Sequence, residues 1–352
     1  MRRRFFNNNK EYFDINDYLT IEALEDNLQI YFPYEDLMYG IDGLGWQKLI
    51  AGKYSPPINT GQTISFKGNV SSTAENKKSF TITKKCNLLG NCMSLTSNDT
   101  PYFFKLFDNC TTIVYISKDF LPATTLVDYC YYRMFYGCSS LTTAPELPAT
   151  TLANYCYGGM FMKCTSLTSA PALPATTLAY NCYTEMFYEC SSLTTAPALP
   201  ATTLAYYCYN AMFDGCISLT TAPALPATTL AKYCYDDMFF SCYSLTTAPE
   251  LPATALADGC YSGMFNNCTK LTTAPTLPAT TLADGCYNCM FSDCKKLNYI
   301  KMLATDISAR DCLHNWVENV SPTGTFVKDP NMTSLPTGVD GIPSGWTVIN
   351  NS

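Results

Sequence analysis

The chain has 352 residues, 47% of them hydrophobic and only 14% charged, so a large core is expected beneath a surface rich in Thr, Ser, Asn and Tyr. Its net charge is −7, and residues 121–294 hold 11 Asp/Glu against 4 Lys/Arg, so this segment carries the whole excess. An acidic field of that kind excludes nucleic acid as a partner. No run approaches 18 consecutive apolar residues, and no membrane-spanning helix is expected.

The basic start, MRRRFFNNNK, lacks an apolar stretch behind it, and the expectation is synthesis in a cytoplasm without secretory export. Residues 1–98 then show short alternating or β-branched and aromatic runs at 18–24, 28–32, 37–41, 47–50, 63–66 and 79–83. Asp42-Gly43, Gly52 and Gly61 punctuate them at hairpin spacing. These runs predict an antiparallel β-sandwich with Trp46 in or beside its core; a Trp exposed for sugar stacking is the alternative.

From Leu121 a 26-residue unit repeats seven times without slippage, starting at Leu121, Leu147, Leu173, Leu199, Leu225, Leu251 and Leu277. Its pattern is L-P-A-T-[TA]-L-x-x-x-C-Y-x-x-M-F-x-x-C-x-x-L-[TN]-x-x-x-x. A fixed period of this length marks a solenoid, in which each unit buries its apolar face only against its neighbours. Leu126, Cys130, Met134 and Cys138 are spaced by four, which predicts a short helix with Gly137 near its C-terminal end. Leu141–Ala144 predicts a strand cut short by Pro145. Leu106–Ile113 matches Met134–Leu141 and reads as a degenerate N-terminal half repeat. Beyond Met302, a short helix over 309–320 and strand-like pieces at 324–327 and 346–349 predict a C-terminal cap.

The 19 cysteines raise metal or disulfide chemistry, but fourteen occupy two repeat positions, Cys130 and Cys138 and their copies. Residues at one repeat position stack with parallel Cβ vectors, whereas a disulfide needs converging ones. Zinc sites start from C-x2–4-C pairs, and here the closest cysteine pair within a repeat is Cys286–Cys289, unique to the last copy. Buried thiols packing as small apolar groups are expected. The sole histidine, His314, is expected in packing or at the surface and not in a triad. No phosphate loop, dinucleotide motif or EF-hand loop occurs. No catalytic residue, cofactor or metal ligand is nominated. Thr143, Ser169, Thr195, Thr221, Thr247 and Thr273 should form a hydroxyl column that hydrogen-bonds and packs.

Copies this similar differ chiefly just before and just after the first Cys. The variable pairs are Asp128/Tyr129, Asn154/Tyr155, Tyr180/Asn181, Tyr206/Tyr207, Lys232/Tyr233 and Asp258/Gly259. The candidate binding surface is therefore Tyr129, Tyr155, Tyr180, Tyr206, Tyr207 and Tyr233, since Tyr joins apolar area to a hydroxyl.

The units resemble leucine-rich repeats of the BspA type, named for a surface protein of oral Bacteroidetes: Met160-Phe161-Met-Lys-Cys164-Thr-Ser-Leu167 followed by Leu173-Pro174 carries the likeness over roughly 121–302. Three extra residues per unit, Pro171 and Cys182-Tyr183 depart from that pattern. The layout is also similar to repeat proteins of gut Bacteroides and their bacteriophages, through Lys84-Lys85-Cys86-Asn-Leu-Leu-Gly-Asn-Cys-Met93 and Gly341-Ile-Pro-Ser-Gly-Trp346. The resemblance implies adhesion, host attachment or a virion-surface role. The expected architecture is thus a β-rich multidomain chain: a sandwich over 1–98 that docks, a leucine-rich-repeat solenoid over 99–302, and a cap over 303–352. The expected function is non-enzymatic attachment as a bacteriophage virion fibre or decoration component. Its N-terminal domain would contact other virion or surface proteins, and its solenoid a host-surface protein or glycan. The alternatives are a BspA-like adhesin on a bacterial cell surface and a carbohydrate-binding module.

Overall fold

The computed structural model describes residues 12–34, 37–70, 79–96 and 100–351, so the basic start at residues 2–4 lies outside the described residues. The molecule is β-rich and built around a solenoid of about ten turns. Among the described residues the first nine strands are β1 (Leu19–Ala23), β2 (Ile30–Phe32), β3 (Met38–Ile41), β4 (Leu44–Lys48), β5 (Lys53–Tyr54), β6 (Thr63–Lys67), β7 (Thr81–Ile82), β8 (Cys86–Gly90) and β9 (Ile113–Ile116). They form a six-stranded sheet in the order β4-β3-β6-β1-β8-β9 and a three-stranded sheet, β5-β2-β7. The Phe32 ring contacts Phe66 at 4.4 Å and Phe80 at 4.2 Å.

The larger sheet is not wholly antiparallel. β8 pairs in parallel with β9, Cys86 opposite Ile113, so it crosses the expected boundary at 98/99. Tyr115 in β9 then bridges in parallel to Thr143 of the first full unit. The apolar core follows the same route, because Phe80 packs on Phe107 at 5.3 Å and Phe107 on Phe135 at 5.6 Å.

The short helix expected in each unit is not formed; among the described residues there is no α-helix. Residues 126–138 and their copies run as consecutive turns with alternating hydrogen bonds. Tyr131, Arg133 and Phe135 donate their N–H groups to Cys156, Gly158 and Met160 of the next coil at 3.0, 2.9 and 3.0 Å. The intervening Tyr132, Met134 and Tyr136 donate back three residues, to Tyr129, Tyr131 and Arg133, at 3.1, 3.1 and 3.2 Å. Each of these amides thus finds a partner, which a buried backbone requires. Counting the leading Leu as position 1, positions 9, 13 and 17 have positive φ in all seven units and in the coil after them, from Tyr129, Arg133 and Gly137 to Asp311, Asn315 and Asn319. A left-handed residue every fourth position breaks an α-helix while preserving the four-residue spacing of inward side chains. The apolar periodicity was therefore that of a four-residue turn.

Each coil buries Cys130, Tyr131, Met134, Phe135, Cys138 and Leu141 or their equivalents completely or nearly so. The Phe column from Phe135 to Phe291 stacks at 5.7–5.8 Å with planes within 8°. Trp316 covers its far end, 6.1 Å from Phe291 and 6.4 Å from Tyr287. The conserved spacing of Cys138 and its copies also has a bonding reason: Cys164, Cys190 and Cys216 place Sγ 3.1, 3.0 and 3.1 Å from the carbonyls of Phe135, Phe161 and Phe187.

The strand segment is shorter than four residues in most units, reduced to single parallel bridges such as Ser169–Thr195 and Thr221–Thr247. Only near the end does it lengthen, into β10 (Thr273–Leu277), β11 (Tyr299–Met302), β12 (Thr325–Lys328) and β13 (Thr347–Asn350), a parallel sheet in that order. Residues 303–328 are one more coil. Tyr287, Cys289 and Phe291 donate to Cys312, His314 and Trp316 at 3.0, 2.9 and 2.9 Å, so the helix expected over 309–320 is again a chain of turns.

Candidate functional site

The turn segments stack with their left-handed positions outside, so the residues that vary between copies become neighbours. Tyr129 stacks on Tyr155 at 4.7 Å and 8°, Tyr180 on Tyr206 at 5.3 Å and 8°, and Tyr207 on Tyr233 at 4.9 Å and 8°. Edge contacts join these pairs: Tyr155 to Tyr180 at 5.3 Å and Tyr206 to Tyr207 at 4.4 Å. All six candidate tyrosines thus belong to one ribbon along positions 8 and 9. Tyr129, Tyr180 and Tyr206 are exposed and the other three half-buried. Burial and contact with Tyr206 push the Tyr207 phenol up to about 12, so Tyr207 is uncharged at neutral pH.

Beside the ribbon, position 12 forms a polar column. Thr184 donates its hydroxyl to Asn210 Oδ1 at 3.1 Å, and Asn210 Nδ2 donates to Asp236 Oδ2 at 3.1 Å. Further round, Asp214 occupies the position of Tyr188 and Phe240 in the adjacent coils. Burial pushes its carboxyl up to about 7, and Asp237, Glu189 and Glu185 add repulsion. Asp236 is likewise raised to about 7 by burial and then by Asp237, against hydrogen bonds with Ser262 and Asn210. Two ion pairs relieve this acidic zone, Arg133–Glu185 at 3.2 Å and Lys163–Glu189 at 3.8 Å.

The ribbon stops at Tyr233 because positions 259 and 285 are Gly. A cleft of about 190 Å³ opens there, walled by Tyr233, Asp258, Ser262, Asp284, Asn288 and Arg310. Sequence reasoning singled out Asp258/Gly259 as variable but missed the cleft. The signal was present in Gly259 and Gly285 standing in the column that holds Tyr in four other copies. A second concavity of about 400 Å³ lies between proline bends, at Pro223, Pro226, Pro249 and Pro252, and both prolines recur in the first six units.

Other positions fall elsewhere. Trp46 is half-buried, with Phe13 stacked on it at 4.1 Å and the Lys67 ammonium 4.1 Å from its centroid, so its faces are taken and it is no free platform. His314 is exposed, with Nδ1 3.9 Å from Asp340. The thiols other than half-buried Cys289 are buried. Among the described residues no group of His, Cys, Asp or Glu has the arrangement to hold a metal, and no helix is long and apolar enough to cross a membrane. The expected column from Thr143 to Thr273 is exposed on another face and pairs through backbone bridges such as Ser169–Thr195. The hydroxyl bonds come from the residue before it, Thr194 and Thr246 donating to the preceding coil's Thr168 and Thr220 carbonyls at 3.2 and 3.3 Å.

Fold and site together define a repeat solenoid with one variable lateral surface. No protein-family model matches the chain, and no curated protein matches it.

Proposed function

We propose that this is a non-enzymatic attachment protein, a bacteriophage virion fibre or decoration component that projects its solenoid toward a host surface. The observation that carries the reading is the contrast between columns. The inward positions repeat almost without change, while variation and exposed aromatic area gather on the ribbon from Tyr129 to Tyr233. Aromatic residues with few rotatable bonds are favoured at contact surfaces. The acidic surroundings discourage non-specific adhesion to nucleic acid and like-charged particles. The N-terminal sheets, which we read as a sandwich, form the docking end, and the resemblance to Bacteroides and phage repeat proteins supplies the setting. In this reading the repeats are variants of the BspA-type leucine-rich repeat.

Two measurements on the full chain test this. Mass spectrometry of purified phage particles should detect the protein as a structural component; its absence from particles that otherwise assemble would overturn the virion assignment. Labelled protein should bind intact gut Bacteroides cells, with binding weakened tenfold or more by Tyr155→Ser combined with Tyr206→Ser. Equal binding by that variant, or binding lost instead through Thr194→Ser on the strand face, would overturn the surface assignment.

A further inference from the structure

The place where the tyrosine ribbon ends is a built recess. Tyr233 stacks on Tyr207 on one side, and its ring leans over Gly259, where an added Cβ would come within 2.3 Å of the ring. Above Gly285 nothing lies within 4 Å of the Cβ position, so the next rung of the ribbon is empty space. The resulting cleft, about 190 Å³, is well below the ~300 Å³ at which drug-sized pockets begin and suits a single ring.

Its chemistry is specific. One end is an aromatic face, and the walls carry carboxylate, amide and hydroxyl groups that accept or donate hydrogen bonds. Asp258 is paired with Lys232 at 2.6 Å. Asp284 accepts the Arg310 backbone N–H at 2.9 Å and lies 3.7 Å from its guanidinium. With Asp311, three carboxylates face two cations and leave one negative charge, which disfavours anions. The ion pairing likewise leaves little unbalanced charge to hold a bare cation. An uncharged ring with one apolar C–H face and several hydroxyls matches both the platform and the walls.

Deepening the attachment reading above, on which it rests, we propose that the cleft at Tyr233, Gly259 and Gly285 is a sugar subsite that takes one neutral pyranose of a surface glycan. The sugar's C–H face stacks on Tyr233 in place of the missing rung. Its hydroxyls are held by Asp258, Asp284 and Ser262, and the ribbon beyond Tyr233 offers further aromatic area to the rest of the chain.

Gly285→Tyr is the decisive variant. Tyr already occupies this repeat position at Tyr129, Tyr155, Tyr207 and Tyr233, with φ of 59°, 55°, 54° and 55°, against 59° at Gly285. The coil therefore accepts the residue, and its ring fills the recess. Saturation-transfer NMR on the full chain with D-glucose, D-galactose, D-mannose, L-fucose and N-acetyl-D-glucosamine as probes should show transfer to the C–H protons of at least one. That signal should fall tenfold or more in Gly285→Tyr and in Tyr233→Ser, and survive Tyr129→Ser at the other end of the ribbon. Absence of transfer to all five sugars, or a signal unchanged by Gly285→Tyr, overturns the subsite. Because cell binding through Tyr155 and Tyr206 is read separately, the subsite can fail while the attachment surface stands. Loss of cell binding in Gly285→Tyr alone supports both.

Discussion

Arg133 reaches across a whole coil to Glu185, Nη2 to Oε2 at 3.2 Å, because the residue between them in the column is Gly159. Gly159 has φ +57°, and a Cβ there would lie 2.9 Å from Arg133 Cγ. The pair thus depends on a missing side chain. Both partners are about a third exposed, so Arg133→Ala should cost no more than ~1 kcal/mol in denaturant unfolding. Gly159→Leu should cost more, ~1–2 kcal/mol, since it combines a left-handed leucine with displacement of Arg133. Equal effects of the two would contradict the column geometry.

The left-handed positions make a sharper prediction. Across eight coils they hold no Val, Ile or Thr, and thirteen of the twenty-four are Gly, Asn or Asp. Ala211, at φ +48°, is among the exceptions. Ala211→Gly should be neutral or stabilise the protein by up to ~1 kcal/mol, and Ala211→Val should destabilise it by ~2 kcal/mol. Thermal unfolding of the two variants decides; a gain in stability with Val would remove the left-handed assignment.

Much of the build was legible in the sequence, and the failure was one of local geometry. The 26-residue period fixed the stacking of Phe135, Phe161 and Phe187 and placed their rings in the core. A spacing of four, from Leu126 through Cys138, fits both a helical turn and a repeated four-residue turn. What separates them is the residue between the apolar ones, and Tyr129, Arg133 and Gly137 do not individually demand positive φ. The three columns show the preference only when read down all copies. In the site, the variable tyrosines were visible as a list; their contacts and the recess after Tyr233 required the stacked coils.

Packing of the Phe column should dominate stability. Phe187→Ala, fully buried between Phe161 and Phe213, should cost ~3–5 kcal/mol. Phe291 is no frayed end, since Trp316 covers it at 6.1 Å, so Phe291→Ala should cost a similar amount. A negligible loss at either site would show the column to be wrongly registered.

Stability should also depend on Asp214. Its folded-state value near 7 lies above the ordinary 3.8, so the protonated carboxyl stabilises the fold. That contribution is fully present below about pH 4 and is lost as pH rises through about 7. Asp214→Asn should flatten the decline in melting temperature between pH 5 and 8 and, at pH 8, add on the order of 1 kcal/mol after allowing for solvent screening. An unchanged pH profile in the variant would place the carboxylate in open solvent.

The thiols offer a check on burial. Burial pushes Cys190 and Cys294 up to about 12, and only Cys289 is half-buried. In native protein at pH 8 an aromatic disulfide reagent should modify Cys289 first and the others slowly; in denaturant, without reductant, all 19 should react. A shortfall of several thiols would mean disulfides between coils.

The surface is built from residues 126–138 and their copies as turns, with Tyr129, Tyr155, Tyr207 and Tyr233 each at a left-handed position of the turn. Far-UV circular dichroism of the purified chain reads this directly. The coil geometry predicts a spectrum of turns and short strands with no helical double minimum at ~208 and ~222 nm, given the absence of any α-helix among the described residues. A helical spectrum matching seven or eight short helices would contradict it.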